Sequence, residues 1–254
     1  MPQTTPEEQI ATIYSTLALA WGRQHWWPAQ SRFEVIVGAY LTQNTSWGNV
    51  EIAMKCLRSA RVLNVAGIRK LSLPKLERLI RSSGYFRQKA RRLKTFINFL
   101  DRKYSGSLEE MFLQPTSKLR EQLLSLNGVG PETADSILLC AGQHPTFVVD
   151  AYTRRLAARH RILPENAPYE DFRVLFERTL AVAPPMAPAD SSVVSSGGAS
   201  HRPSRMSLAP RLPLAQTFNE MHGLIVGVGK KYGVKSNPRC DECPLRPLLP
   251  GAEL

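Results

Sequence analysis

The stretch LLSLNGVGPETADSILLCAGQHPTFVVDAYTRR, residues 123–155, decides the fold. Two short helical runs, 116–124 and 131–141, flank the turn LNGVG at 126–130. Gly128 and Gly130 enclose the apolar Val129, and glycine lets a backbone turn tightly with positive φ at no steric cost. Pro131 suits the first position of the second helix, where its fixed φ fits and its missing N–H is no loss. The spacing predicts a helix-hairpin-helix whose second helix offers free backbone N–H groups with no side chain in the way. That geometry suits a phosphate oxygen.

Behind the apolar run Phe147-Val148-Val149 stands Asp150. It fits the N-cap of a helix beginning at Ala151. A carboxylate there stays ionised, because the helix dipole and the backbone donors favour the charged form. Held near a nucleic acid gripped by the hairpin, it has the charge to stabilise an oxocarbenium-like sugar or to orient an attacking water.

The rest of the chain reads as further helices. Residues 6–21 open on Pro6, carry Glu7 and Glu8 in the first turn, and place Ile10, Ile13, Leu17 and Trp21 at helical spacing. FEVIVGAYL at 33–41 is a continuous apolar run, which periodicity alone cannot assign. It is read as helix because almost nothing else alternates, so a strand would lack partners. Residues 47–60, 74–81, 151–160, 169–182 and 214–231 also read as helical. In residues 86–104, Ala90, Leu93, Ile97 and Leu100 form one stripe, while Arg87, Lys89, Arg91, Arg92 and Lys94 crowd the end that ordinarily prefers acids. Charge so placed points to a partner rather than to helix stability. Residues 183–213 are rich in Pro, Ser, Gly and Ala and hold no aromatic residue, the composition of a flexible insertion. The fold class is all-α.

Charge narrows the partner. Lys and Arg number 33 against 21 Asp and Glu, a net +12, and such an excess attracts polyanions, nucleic acid before anionic membrane. No apolar stretch is long enough to span a bilayer, and no basic segment precedes an apolar run at the N-terminus. Four cysteines in 254 residues are too few for a disulfide framework. The expectation is a cytoplasmic monomer without a membrane partner, nucleoid-associated if bacterial.

LNGVGPETAD followed by VVDAYTRRL resembles the signature hairpin, loop and aspartate of the endonuclease III-like, helix-hairpin-helix–GPD DNA glycosylases. FEVIVGAYLTQNTSWGNV (33–50), SSGYFRQKARRL (82–93), HGLIVGVGKKYG (222–233) and PRCDECPL (238–245) are similar to other parts of that family. The resemblance covers roughly 26–182 and 214–245. WWPAQS, LTQNTSW and a Glu just after the hairpin are closest to the branch containing the 3-methyladenine glycosylases. It implies two helical domains, 1–30 with 147–254 and 31–146, with the damaged base flipped into a cleft between them. The implied partner is double-stranded DNA containing damaged bases, and the implied activity is base excision, with Asp150 catalytic. Gln43 matches a glutamine that fills the gap left by the flipped nucleotide. Trp26, Trp27 and Trp47 are candidates to stack on the base, since aromatic faces attract cationic alkylated bases. Asn44, Leu126, Gly128, Val129, Gly130, Thr133, Lys89, Arg154, Lys230, Lys231 and Lys235 complete the implied DNA contacts.

Two departures refine the expectation. Bifunctional members carry a lysine nucleophile one residue after the position of Pro131, where this chain has Glu132. A Schiff base needs an amine, so base removal is expected without the lyase step, and Glu132 is a candidate to face a cationic base in the pocket. The bifunctional reading survives only through another amine, Lys89 or the N-terminus, and a non-catalytic damaged-DNA binder is the alternative of another class. Members with a [4Fe-4S] cluster use C-x6-C-x2-C-x5-C. Here Cys240 and Cys243 match the middle pair, while Gly233 and Leu249 hold the outer positions. A cubane needs four ligands, so no cofactor is expected, with a residual metal site at Cys240 and Cys243 as the alternative.

Overall fold

The computed structural model describes residues 4–182 and 203–250. These residues contain helices and turns and no strand. The helices are α1 (Pro6–Trp21), α2 (Arg32–Leu41), α3 (Trp47–Ser59), α4 (Val65–Lys70), α5 (Leu73–Leu79), α6 (Phe86–Tyr104), α7 (Leu108–Phe112), α8 (Thr116–Leu124), α9 (Pro131–Ser136), α10 (Ala151–Arg159), α11 (Tyr169–Ala181) and α12 (Pro213–Lys231). After α9 the chain widens into a π-helical turn, Ile137–Gly142. The chain divides into two compact units, Met1–Pro28 with Pro145–Leu254, and Ala29–His144.

In the first unit the core forms where α1, α11 and α12 meet behind the segment 145–150. Phe147 stacks on Phe176 at 4.8 Å between ring centroids and meets Phe218 edge-on at 6.0 Å. Ile10, Ile13 and Leu17 of α1 and Leu224 and Ile225 of α12 close it. Helix α1 starts on a capping box: the Thr5 hydroxyl accepts from the Glu8 amide, and the Glu8 carboxylate accepts from the Thr5 amide.

In the second unit α2 is the central helix. Phe33 through Leu41 are all buried, which is why its sequence shows no polar face to reveal its period. Tyr40 packs on Phe96 of α6, and Ile36 and Val37 lie in the same core as Leu138 and Leu139 of the π turn. Helices α4 and α7 were not among the sequence expectations. Each is six residues or shorter, too brief for a repeating pattern, but each begins on a side-chain cap, Asn64 to the Gly67 amide and Ser107 to the Glu110 amide.

The basic half of α6 requires a correction. Lys89 is 1% exposed, and its ammonium donates to the carbonyls of Leu41 (2.8 Å) and Ser83 (2.6 Å). Burial, with Arg92 nearby, lowers its pKa to about 8. Lys94 donates to the carbonyls of Ile68 and Arg69, satisfying the end of α4. Arg92 binds Gln43. Three of the five basic residues thus stabilise the fold, and only Arg87 and Arg91 stand exposed.

The insertion expected over 183–213 lies outside the described residues at 183–202. Its remainder is packed rather than loose. Ser204 and Met206 are buried, the Ser204 hydroxyl donates to the Trp27 carbonyl at 3.3 Å, and Arg211 donates to the Met206 carbonyl at 3.0 Å. One methionine and a short polar turn anchor a segment whose average composition lacks a core.

Candidate active site and nucleic-acid contacts

Asp150 caps α10 as its sequence position requires. Its Oδ1 accepts from the Thr153 amide at 2.8 Å and the Thr153 hydroxyl at 3.0 Å. Its Oδ2 lies 3.6 Å from Nε2 of His222 on α12. Burial alone pushes the carboxyl up. The His222 imidazole and the Thr153 amide and hydroxyl outweigh burial and hold it below the ordinary carboxylate range. Helices α10 and α12 come this close because Gly229 has no side chain: a Cβ there would sit 2.0 Å from Cδ1 of Tyr152.

The tryptophan pair joins the same place. Trp26 and Trp27 are 5% and 6% exposed, and their ring centroids are 5.3 Å apart. Trp26 meets His222 edge-on at 5.8 Å, and the exposed Lys230 ammonium lies 5.7 Å from the Trp26 ring centre. Asn219 of α12 donates to the Trp26 carbonyl at 2.5 Å. One unit therefore places Asp150 and Trp26 against His222, with Trp27 and Lys230 against the Trp26 ring. Trp47 belongs to the other unit, at the start of α3, where its indole N–H donates to Glu51 at 2.9 Å.

The hairpin forms as the glycine pattern requires at one of its two positions. Gly128 has φ 78°, and the Val129 amide closes the turn on the Leu126 carbonyl at 3.0 Å, burying Val129. Gly130 has φ −91° and ψ 176°, extended backbone open to any residue, and a Cβ there would meet nothing within 4 Å. The positive φ expected of it is absent. Beneath the hairpin, Arg120 of α8 makes a two-pronged ion pair with Asp135 of α9, at 2.7 and 3.1 Å, and Asp135 is fully buried.

Gln43 is tied to this hairpin. Its amide nitrogen donates to the Gly128 carbonyl (2.9 Å) and the Thr133 hydroxyl (3.0 Å), and its Oε1 accepts from Arg92 at 2.6 Å. Asn44 follows with φ 52° and is exposed, as is Glu132 in the first turn of α9. A Cβ at Gly128 would fall 1.9 Å from the Arg92 Nε, so Gly128→Ala forces Arg92 off Gln43 as well as straining φ. Gly128→Ala is expected to lower stability by about 1–3 kcal/mol and to loosen the Gln43 turn, while Gly130→Ala melts like the wild type. Weakened duplex binding in Gly130→Ala then reports phosphate approach alone. Equal melting losses in both variants would contradict this division.

Other expected contacts are redirected. The Arg154 guanidinium donates to the carbonyls of Glu165 and Ala167 and lies 4.9 Å over Phe172. It braces the 165–167 turn, and Lys89 is buried with its ammonium held by backbone carbonyls, so Lys89 does not reach a phosphate. Lys231 sits over the Tyr232 ring, and it and Lys235 are exposed. Tyr85, unmarked in the sequence reading, is 68% exposed, with left-handed backbone at φ 45°, ahead of Arg87 and Arg91.

Cys240 and Cys243 line a mostly apolar cavity of about 30 Å³ together with Gly233, Leu249, Tyr152 and Leu245. The four positions of the cluster pattern thus converge on one cavity, but two of them carry no donor side chain. Cys56 and Cys140 lie in the other unit, in α3 and the π turn. Two thiols do not hold a cubane, and the loop does not fit that cluster. Among the described residues no group of three or more His, Cys, Asp or Glu side chains is placed to hold a metal ion. No helix among them is long and apolar enough to cross a membrane.

The HhH-GPD superfamily base excision DNA repair protein family matches residues 37–181, more than half of the chain, and the chain belongs to that family. A provisionally named DNA repair glycosylase of Methanocaldococcus jannaschii is 39% identical over 241 residues, covering 94% of each chain. The structure of an H. pylori 3-methyladenine DNA glycosylase bound to 1,N6-ethenoadenine superposes with a TM-score of 0.69 at 27% identity, covering 89% of this chain and 98% of that one. A trapped endonuclease III–DNA covalent intermediate shares the fold, with a TM-score of 0.70 at 20% identity and coverage of 96% and 95%.

Proposed function

We propose that the protein is a monofunctional glycosylase that hydrolyses the N-glycosidic bond of an alkylated base in double-stranded DNA. The observation that carries this reading is the Asp150 carboxylate, held ionised at the head of α10 with one oxygen fixed by Thr153. When the bond between C1′ and the base breaks, the electron pair leaves with the base and positive charge develops on the sugar. A fixed negative charge beside it lowers that barrier, and water then adds to C1′. An alkylated purine leaves readily because it departs as a neutral base.

The residue at the lysine position separates this reading from the bifunctional one. Glu132 stands where a lysine nucleophile would be. Of the two other candidate amines, Lys89 spends its ammonium on two backbone carbonyls in the core, and the N-terminal amine lies outside the described residues. The ethenoadenine held by the H. pylori relative supports an alkylated or etheno purine as the lesion. Trp26, packed edge-on against His222, and Trp27 are buried and support the Asp150 site rather than offering an open face to the base, while Glu132 supplies negative charge for a cationic base. The Gly128–Gly130 hairpin, Lys231, Lys235, Arg87 and Arg91 supply phosphate contacts, with Gln43 and Asn44 at the duplex. On this reading the chain works as a monomer in the cytoplasm and needs no iron–sulfur cluster.

Borohydride reduction during incubation with methylated duplex is expected to trap no covalent protein–DNA complex, because no imine forms. A trapped complex would restore the lyase reading.

A further inference from the structure

Asp150 has two unequal carboxylate oxygens. Oδ1 is held by the backbone and hydroxyl of Thr153, while Oδ2 faces His222, 3.6 Å away. His222 is 3% exposed and lies on the face of α12 that carries Phe218, Ile225 and Gly229, an otherwise apolar stripe. An imidazole is costly to bury in such a stripe unless its polar edge has a task. Its position is fixed by anchors on both sides. Asn219 holds the Trp26 carbonyl, Glu220 accepts from the Gln24 amide at 2.8 Å, and a Cβ at Gly223 would already press on Gln24 and Trp26 at 3.0 Å.

Resting on the reading of Asp150 as the catalytic carboxylate, we propose that His222 is its positioning residue, fixing the oxygen that the helix cap leaves unheld. A carboxylate pinned at one oxygen still rocks about that bond. An imidazole with hydrogen on Nε2 steadies the second oxygen and leaves the carboxylate its full charge. The charged and titratable groups around the pair are few. Tyr152 follows Asp150 on α10, and burial and then the Asp150 charge raise its pKa. Arg155 lies over the Tyr152 ring, Lys230 lies over Trp26, and Glu220 is engaged with Gln24 and Gln216. His25, in the same loop as Trp26, is lowered by burial and by Arg23.

The test is single-turnover release of methylated purines from methylated duplex DNA, with duplex affinity measured in parallel. His222→Phe is expected to slow release by about tenfold or more while duplex affinity changes by less than about threefold. His222→Gln keeps an N–H where Nε2 stood, so it is expected to restore most of the rate lost in His222→Phe. The ring 15N shifts of His222 in the full protein are expected to move on Asp150→Asn, which reads the contact even where a His222 variant folds poorly. Wild-type rates in His222→Phe, no recovery of rate in His222→Gln, or unmoved 15N shifts would overturn the role of His222 and leave Asp150 in place. An Asp150→Asn protein that excises normally would remove the reading beneath it.

Discussion

Asp150→Asn is expected to release damaged base about 2–4 kcal/mol less effectively, on the order of a hundredfold in rate, the scale of losing one oriented electrostatic contact. The substitution is informative because it changes charge and little else. Asn still caps a helix, and its oxygen can still accept from the Thr153 amide now bound to Oδ1. The fold of α10 is therefore expected to persist. Duplex affinity is expected to hold or rise, since a negative charge near phosphates is removed. A rate within about threefold of wild type, well under the loss of one oriented donor or charge, would show that this carboxylate only caps a helix.

The second large effect is on stability. Arg120→Met leaves the Asp135 carboxylate fully buried without its guanidinium, at an expected cost of about 3–5 kcal/mol. Replacing both partners with apolar residues of similar size is expected to cost less than Arg120→Met alone, because the uncompensated charge is gone. Thermal melting of the two variants measures this. The pair ties α8 to α9, so the single variant should also weaken duplex binding through the hairpin. A double variant that melts below Arg120→Met would place the stabilisation in the attraction itself rather than in the cost of an orphaned charge.

Much of this was legible in the sequence because it rests on local rules. The hairpin follows from Gly128, Val129 and Pro131, and the aspartate from its place before α10. The long helices follow from 3.6-residue periodicity. What was hidden depends on which side chain meets which. Lys89 was read as a phosphate contact, yet Lys89, Leu93, Phe96 and Leu100 are spaced as one helical stripe, the buried one. A lysine on that stripe has to find carbonyls. His222 likewise shares a spacing with Phe218, Ile225 and Gly229, and the approach of α10 brings Asp150 to it. Arg154 and Arg92 look like surface cations in sequence. One is taken by a turn eleven residues on, the other by a glutamine in the turn between α2 and α3. Gly130 shows the reverse error: a glycine whose backbone requires no glycine, so its role rests on what approaches it from outside.

The product analysis of one reaction tests the central claim most directly. Methylated duplex DNA is incubated with the full-length protein, released bases are identified by mass spectrometry, and the DNA strands are sized without alkali or heat. A monofunctional glycosylase gives free alkylated base and abasic strands of unchanged length. Free base accompanied by strand cleavage, or no base above the rate of spontaneous loss, would contradict the account.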